Sequence, residues 1–276
     1  MTRGQGVVRS VAVFLLLAFS AWANAELRVV SLAPSMTEIV MELQATDLLV
    51  GVLDGVDRPT ALEALPSVGR YGQLNMEQLV SLKPDLLLLW PDSVAPAQRA
   101  QLQRLGIEIF TGEPRNLDQL LEQIEAIAVR LDRVEQGRAY VAERRQRLSE
   151  LRQQYHREQP LRVFYQVWNS PLYTLGGGQI ISDALAVCGA RNVFADLDQP
   201  APQVSVESVL QRDPQVILAG DDSQLEEWKA WPGLSAVAGN RLLMVPDKGL
   251  ERPSGQMIDA TARLCAVLDP TASASR

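Results

Sequence analysis

Two carboxylates occupy matching places in this chain. Glu77 lies in Met76-Glu77-Gln78-Leu79-Val80-Ser81-Leu82-Lys83-Pro84-Asp85, and Glu207 lies in Val206-Glu207-Ser208-Val209-Leu210-Gln211-Arg212-Asp213-Pro214-Gln215. In both passages the glutamate stands seven positions before a proline and is followed two and three positions later by apolar residues. An aliphatic strand-like run comes next, Leu86 to Leu89 in one copy and Val216 to Ala219 in the other. The chemistry on offer is charge pairing, with one carboxylate per copy, which suits a cationic partner that is itself two-fold symmetric. The duplication predicts two lobes of one plan, and such lobes hold a ligand in the cleft between them.

Catalytic chemistry has little material to work with. His156 is the single histidine, and it falls at the charged end of a long helical pattern, where a solvated or C-terminal capping role suits it better than general-base work. A Ser-His-Asp triad or a histidine-rich zinc site would have to be built around it alone. Gly176-Gly177-Gly178 invites comparison with phosphate loops, but no Gly-Lys-Ser or Gly-Lys-Thr follows and the spacing does not fit G-x-G-x-x-G. It reads as a tight strand-to-helix loop bordering the cleft. No catalytic residue, metal site or resident cofactor is expected.

Aromatic residues make up only 5% of the chain, so their placement is informative. Trp90 ends a predicted strand, Tyr71 lies just before the first repeated helix, and Trp168 and Tyr173 flank a strand and loop of the second lobe. Ligands of open α/β sheets bind at the carboxyl ends of the strands, where these four rings could wall a pocket for a large, flat, partly apolar ligand.

The elements that must position these groups alternate between strand-like and helical patterns, the mark of βαβ units and parallel sheets. Strands are predicted at Leu27 to Leu32, Leu48 to Leu53, Leu86 to Trp90 and Ile107 to Thr111, with helices at Pro34 to Leu43, Met76 to Ser81 and Ala95 to Leu105. From Asn116, a plausible N-cap, to His156 no strand is predicted. One helix runs to about Leu131, and a second, patterned by Val141, Leu148, Leu151 and Tyr155, is long enough to bridge two lobes at roughly 30 Å for about 20 residues. Its charges form a solvated face. The second lobe then has strands at Leu161 to Gln166, Asn192 to Phe194, Val216 to Ala219 and Leu242 to Val245. Its helices fall at Ile180 to Cys188, Val206 to Gln211, Leu225 to Ala230 and Ile258 to Leu268. The expected fold is α/β: two β/α lobes of related topology, residues 26–115 and 160–276, joined through a helical linker, 116–159, by a single long bridging helix. A hinge of crossing strands has no place in this order.

Residues 1–25 read as a cleaved secretory signal. Arg3 and Arg9 precede a short apolar core, Val11 to Ala18, and Ala23-Asn24-Ala25 is an A-x-A site with cleavage expected after Ala25. The core is too short for a membrane span, which needs about 20 apolar residues, so no direct membrane insertion is expected. Losing two arginines and no acid takes the net charge from −7 to −9. An acidic chain without a basic block excludes nucleic acid as a partner. The only cysteines, Cys188 and Cys265, form an even count in an exported chain, which favours one disulfide over two buried thiols.

Several stretches taken together resemble the periplasmic cobalamin-binding proteins of ABC importers. They are Arg28 to Glu38 (RVVSLAPSMTE), Leu74 to Glu77 with Lys83 to Leu86, and Pro202 to Ser205 with Glu207. Cys188 and Cys265 match that family's disulfide pair, and the resemblance extends over about residues 27–268. The opening and middle motifs are shared with siderophore- and haem-binding relatives, so a receptor for one of those ligands is the alternative. The resemblance implies a periplasmic two-lobed receptor that carries a corrinoid to a permease dimer with its ATPase subunits. By that pattern Glu77 and Glu207 dock on permease arginines, and Tyr71, Trp90, Trp168, Tyr173, Asp247, Glu251 and Arg252 bind the ligand. Gly55 and Ala201 stand where a close relative would carry an aromatic, so a different corrinoid such as cobinamide enters consideration.

Overall fold

The structure, a computed structural model, describes residues 26–54 and 58–269. The expected export signal with its cleavage point, and Gly55, lie outside the described residues. Lobe one contains β1 (Val29–Ser31), α1 (Pro34–Glu42), β2 (Leu49–Val52), a small hairpin of β3 (Gly69–Arg70) and β4 (Gln73–Leu74), α2 (Met76–Ser81), β5 (Leu86–Leu89), α3 (Pro96–Arg104) and β6 (Glu108–Thr111). Two helices follow, α4 (Leu117–Arg130) and α5 (Val134–Gln154). Lobe two contains β7 (Leu161–Asn169), β8 (Leu172–Thr174), α6 (Ile180–Val187), β9 (Ala190–Asn192), α7 (Val206–Arg212), β10 (Val216–Ala219), α8 (Asp222–Trp228), α9 (Ser235–Ala238), β11 (Leu242–Met244) and α10 (Gln256–Leu268).

The duplication extends to topology. Lobe one is a parallel sheet in the order β2-β1-β5-β6, and lobe two repeats it with β9-β7-β10-β11, adding β8 antiparallel to β7. A constant offset of 130 residues relates the repeated passages, as between Glu77 and Glu207. Asn75 caps α2 by accepting from Gln78 N, and Ser205 caps α7 by accepting from Ser208 N. Each helix is followed by a left-handed residue before the proline, Lys83 at φ 46° and Asp213 at φ 42°. The proline then turns the chain into a central strand.

Both faces of these strands are covered, which is why they read as continuous apolar runs. Val29, Leu86 and Leu88 face one way and Val30, Leu87 and Leu89 the other. In lobe two Val163, Tyr165, Val216 and Leu218 oppose Phe164, Ile217 and Ala219. The inward faces of both sheets join the apolar sides of α1, α4, α5, α6 and α10 in one continuous core. α4 carries Leu117, Leu120, Leu121, Ile124 and Ile127 on its buried side, and Asn116 caps it by accepting from Gln119 N. α5, 21 residues long, crosses it so closely at Gly137 that an added Cβ would lie 2.3 Å from the Ala128 Cβ. Further along, Arg144 pairs with Asp259 of α10 at 2.8 Å. No strand passes from one sheet to the other among the described residues.

A second link between the lobes is polar. Glu42, at the end of α1, accepts from Gly255 N at 2.9 Å and Gln256 N at 3.0 Å, taking the place of a side-chain cap at the start of α10. Glu38, one turn earlier, accepts from Arg252 at 3.1 Å, from Ser254 at 3.0 Å and from the Gln256 amide. Burial pushes the Glu42 carboxyl above its usual 4.5, outweighing the bonds from Gly255, Gln256 and Tyr140 that favour its charged form. The folded protein therefore holds this proton more tightly than the unfolded chain. The stabilisation that comes with the proton is complete below about pH 4.5 and is lost as pH rises through the raised value. Glu42→Ala is expected to cost about 1–3 kcal/mol by orphaning the α10 amides. Urea unfolding at pH 4 and pH 7 should show the larger deficit at pH 4, and a deficit that grows toward pH 7 would contradict this account.

The differences from expectation are local. The strand expected at Asn192 to Phe194 is β9, at Ala190–Asn192. Gly189, left-handed at φ 63°, ends α6 and the strand starts at once. Phe194 instead turns outward to pack edge-on against Phe164, with ring centroids 5.7 Å apart. β7 runs to Asn169 and returns as β8, a short antiparallel strand that sequence periodicity did not predict. Cys188 and Cys265 form a disulfide joining the end of α6 to α10.

Candidate functional site

In lobe one the carboxyl ends of the parallel strands lead into Ala33-Pro34-Ser35 after β1, Leu53 after β2 and Trp90 after β5. Lobe two presents Val167 near the end of β7 and the turn Lys248–Glu251 after β11. Two chambers open here, of about 270 Å³ and about 350 Å³, and Trp90 and Glu251 line both. The first is bounded by Ser35, Glu38, Leu53, Arg58, Leu62 and Arg252. The second is bounded by Tyr71, Pro114, Tyr165, Val167, Gln179 and Ile181. Together they fall in the range of a small-molecule site.

Trp90 stands between the chambers, and its orientation is set by Nε1 donating to Ser35 Oγ at 3.2 Å. Its ring stays 37% exposed and that of Tyr71 67% exposed, so lobe one offers two wet aromatic faces to a ligand. In the first chamber the charges are balanced, Arg58 and Arg252 facing Glu38 and Glu251 with Arg252 paired to Glu38, while the second is lined by Asp92, Glu113 and Glu251 with no cation among its described residues. The wall is therefore not the basic surface that an anionic siderophore would call for.

Four of the seven expected ligand residues, Tyr71, Trp90, Glu251 and Arg252, meet in these chambers. Trp168 and Tyr173 sit side by side on β7 and β8 outside both, with Trp168 Nε1 donating to Ser170 O at 3.1 Å and its ring 56% exposed. Asp247 also lies outside them. It caps the turn before Glu251 by accepting from Gly249 N at 2.7 Å, and it accepts from Arg263. Sequence reasoning missed Tyr165 and Gln179. Tyr165 lies in an apolar strand run and reads as core, so only its alternation with Val163 and Val167 hinted at a cleft-facing position.

The glycine loop spends its amides internally. Gly176 N donates to Pro200 O and Gly177 N to Leu197 O. A Cβ on either glycine would come within 2.0 to 2.1 Å of a carbonyl oxygen of the 195–199 segment. The close approach of two backbones explains Gly176 and Gly177, whose amides are thereby taken and not offered to a phosphate. His156 is exposed just past α5, away from both chambers. Among the described residues no cluster of three or more His, Cys, Asp or Glu could hold a metal ion, and no helix is long and apolar enough to cross a membrane.

Glu77 and Glu207 are each the second residue of a short capped helix, and both are exposed. Hydrogen bonds from its own backbone N–H and from Ser205 hold the Glu207 carboxyl below the usual carboxylate range. The burial pattern is the same residue for residue over 73–80 and 203–210, so the two carboxylates are presented in the same way on their lobes.

A cleft between two related lobes, with aromatic and charged walls, is the arrangement of a solute-binding protein. Residues 29–248 match the family model described as periplasmic binding protein, and the chain belongs to that family. The vitamin B12-binding protein of Vibrio cholerae serotype O1 is 36% identical over 244 residues, covering 87% of this chain and 88% of the relative. That of Yersinia pestis is 34% identical over 259 residues, covering 93% and 91%. The crystal structure of periplasmic vitamin B12 binding protein BtuF of Vibrio cholerae matches with a TM-score of 0.78 at 35% identity, over 90% of this chain and 98% of that one. The periplasmic heme binding protein HutB of the same organism shares the fold at TM-score 0.79 but only 20% identity, over 89% of this chain and 100% of that one.

Proposed function

We propose that this protein captures a corrinoid, cobalamin in the first instance, in the cleft beside Trp90 and delivers it to an inner-membrane ABC importer. The observation that carries this reading is the near full-length similarity to proteins named for vitamin B12 binding, at 34–36% identity. Two exposed aromatic faces and a wall without a basic cluster suit a large, flat ligand with an uncharged rim better than a highly anionic one. The periplasm is the site of action, reached through the export signal read in residues 1–25. Its partners are the permease dimer and its ATPase subunits, with Glu77 and Glu207 as the docking charges. The reading is one of binding and hand-over, without catalysis.

Trp168, Tyr173 and Asp247 are proposed to act at the rim, where a ligand too large for the two chambers extends beyond them. Replacement of Trp90 by alanine is expected to weaken corrinoid binding by about 1–3 kcal/mol, roughly 5- to 150-fold in Kd, as for truncation of an aromatic anchor. Isothermal titration of wild type and variant with cyanocobalamin measures this. An unchanged Kd would remove Trp90 from the site.

A further inference from the structure

Tyr165 is the one residue of the second chamber whose polar atom is both buried and unpartnered. Its ring is 2% exposed, and its hydroxyl has no hydrogen-bond partner. It sits on β7 between Val163, which belongs to the core, and Val167, which is exposed in the chamber, so it marks the place where core gives way to cleft. An orphaned buried hydroxyl destabilises a folded chain, and phenylalanine would pack here without that penalty. A cost of this kind, at the wall of a binding cavity, points to a partner that arrives with the ligand. Other polar side chains border the same chamber, those of Tyr71, Asp92, Glu113, Gln179 and Glu251. Glu251 supplies carboxylate acceptors, and Gln179, ahead of α6, makes no capping bond with its side chain.

Resting on the corrinoid reading, we propose that Tyr165 and Glu251, with Gln179 beside them, form a subsite for a neutral primary carboxamide on the ligand's rim. The phenol donates to the amide carbonyl and Glu251 accepts from the amide N–H, so the subsite selects an amide over a carboxylate, which Glu251 would repel. Burial, with the Glu251 charge as a lesser cause, pushes the phenol above its usual 10. Tyr165 thus remains a proton donor and does not become a phenolate able to ligate a metal. In the unliganded protein the hydroxyl is covered, so its engagement requires the side chains over it to part as the ligand seats.

The test titrates wild type and Tyr165→Phe with cyanocobalamin and with the set of its monocarboxylic acid derivatives, each having one rim amide hydrolysed. The variant is expected to bind cyanocobalamin about 2- to 13-fold more weakly, the range for losing one hydrogen bond. Its unliganded form is expected to melt about 2–4 °C higher, because the orphan has gone. One monoacid should bind wild type at least tenfold more weakly than cyanocobalamin, and for that ligand the difference between wild type and variant should shrink. Equal Kd values for cyanocobalamin would overturn the subsite, as would a lower melting temperature with unchanged affinity, which is the signature of a packing residue. Failure of wild type to bind any corrinoid would overturn the ligand reading itself, and the subsite with it.

Discussion

A receptor carrying lysine at both Glu77 and Glu207 is expected to bind its corrinoid with unchanged affinity and to support no measurable uptake. Both glutamates lie outside the two chambers, exposed at the second position of capped helices related by the 130-residue repeat. The internal cost of reversal is therefore small. Each lysine faces the positive end of a short helix, worth about 0.3–1 kcal/mol. In the proposed docking the external cost is large, because a carboxylate set against an arginine becomes a like-charge contact. Loss of a hydrogen-bonded interfacial charge pair removes about 2–5 kcal/mol, and two such losses on one two-fold platform leave less than 1% of the encounters productive. Proteoliposomes holding the importer, supplied with wild type, each single variant and the double variant, would report transport, and titration in parallel would report Kd. Single reversals should fall between the extremes. Transport by the double variant at wild-type rate would show that docking uses other surfaces.

Loss of the Cys188–Cys265 bridge is expected to be the most costly single change to stability. The bond closes a loop with a sequence separation of 77 and ties α6 to α10, the helices that line the second sheet's inner face. In the chain-entropy model a loop of that length stabilises by about 4–5 kcal/mol. For a protein of this size that corresponds to about 8–20 °C in Tm. Both cysteines are fully buried, so a Cys188→Ala, Cys265→Ala double variant adds only a small cavity term to the lost cross-link. Thermal unfolding of oxidised, reduced and double-alanine protein should place the last two close together and well below the first. A shift under about 3 °C would mean that the unfolded chain is already compact enough to make the cross-link nearly redundant.

Much of this architecture could be read from residue patterns because local signals agree with the global fold. The helix at Met76–Ser81 and the strand at Val216–Ala219 came out at their observed limits, since a cap, an apolar stripe and a proline bound the first and a proline and a glycine the second. The contacts between the lobes were not legible. Glu38 and Glu42 look like ordinary charges on a helix, and nothing near them in sequence announces that their partners stand more than 200 residues away. β8 was hidden because three residues after Asn169-Ser170-Pro171 carry too little alternation to register.

At the candidate site, residue type pointed most plainly to side chains that the structure leaves exposed at the chambers. Tyr71 and Trp90 are large aromatics left in water at strand or turn ends, and these positions have few packing explanations. Asp247 shows the converse case, a carboxylate whose visible partners are the backbone of its own turn and Arg263. Tyr165 escaped notice because a tyrosine in an aliphatic strand is indistinguishable from core until its hydroxyl is found without a partner.

Isothermal titration of residues 26–276 with cyanocobalamin, with cobinamide and a ferric siderophore run alongside, decides which ligand this cleft takes. Saturable one-to-one binding of a corrinoid and no heat of binding with the siderophore are expected. Stronger binding of cobinamide than cyanocobalamin would keep the corrinoid reading and change only the preferred ligand. Binding of the siderophore alone, with neither corrinoid taken up, would keep the fold and contradict the function proposed for it.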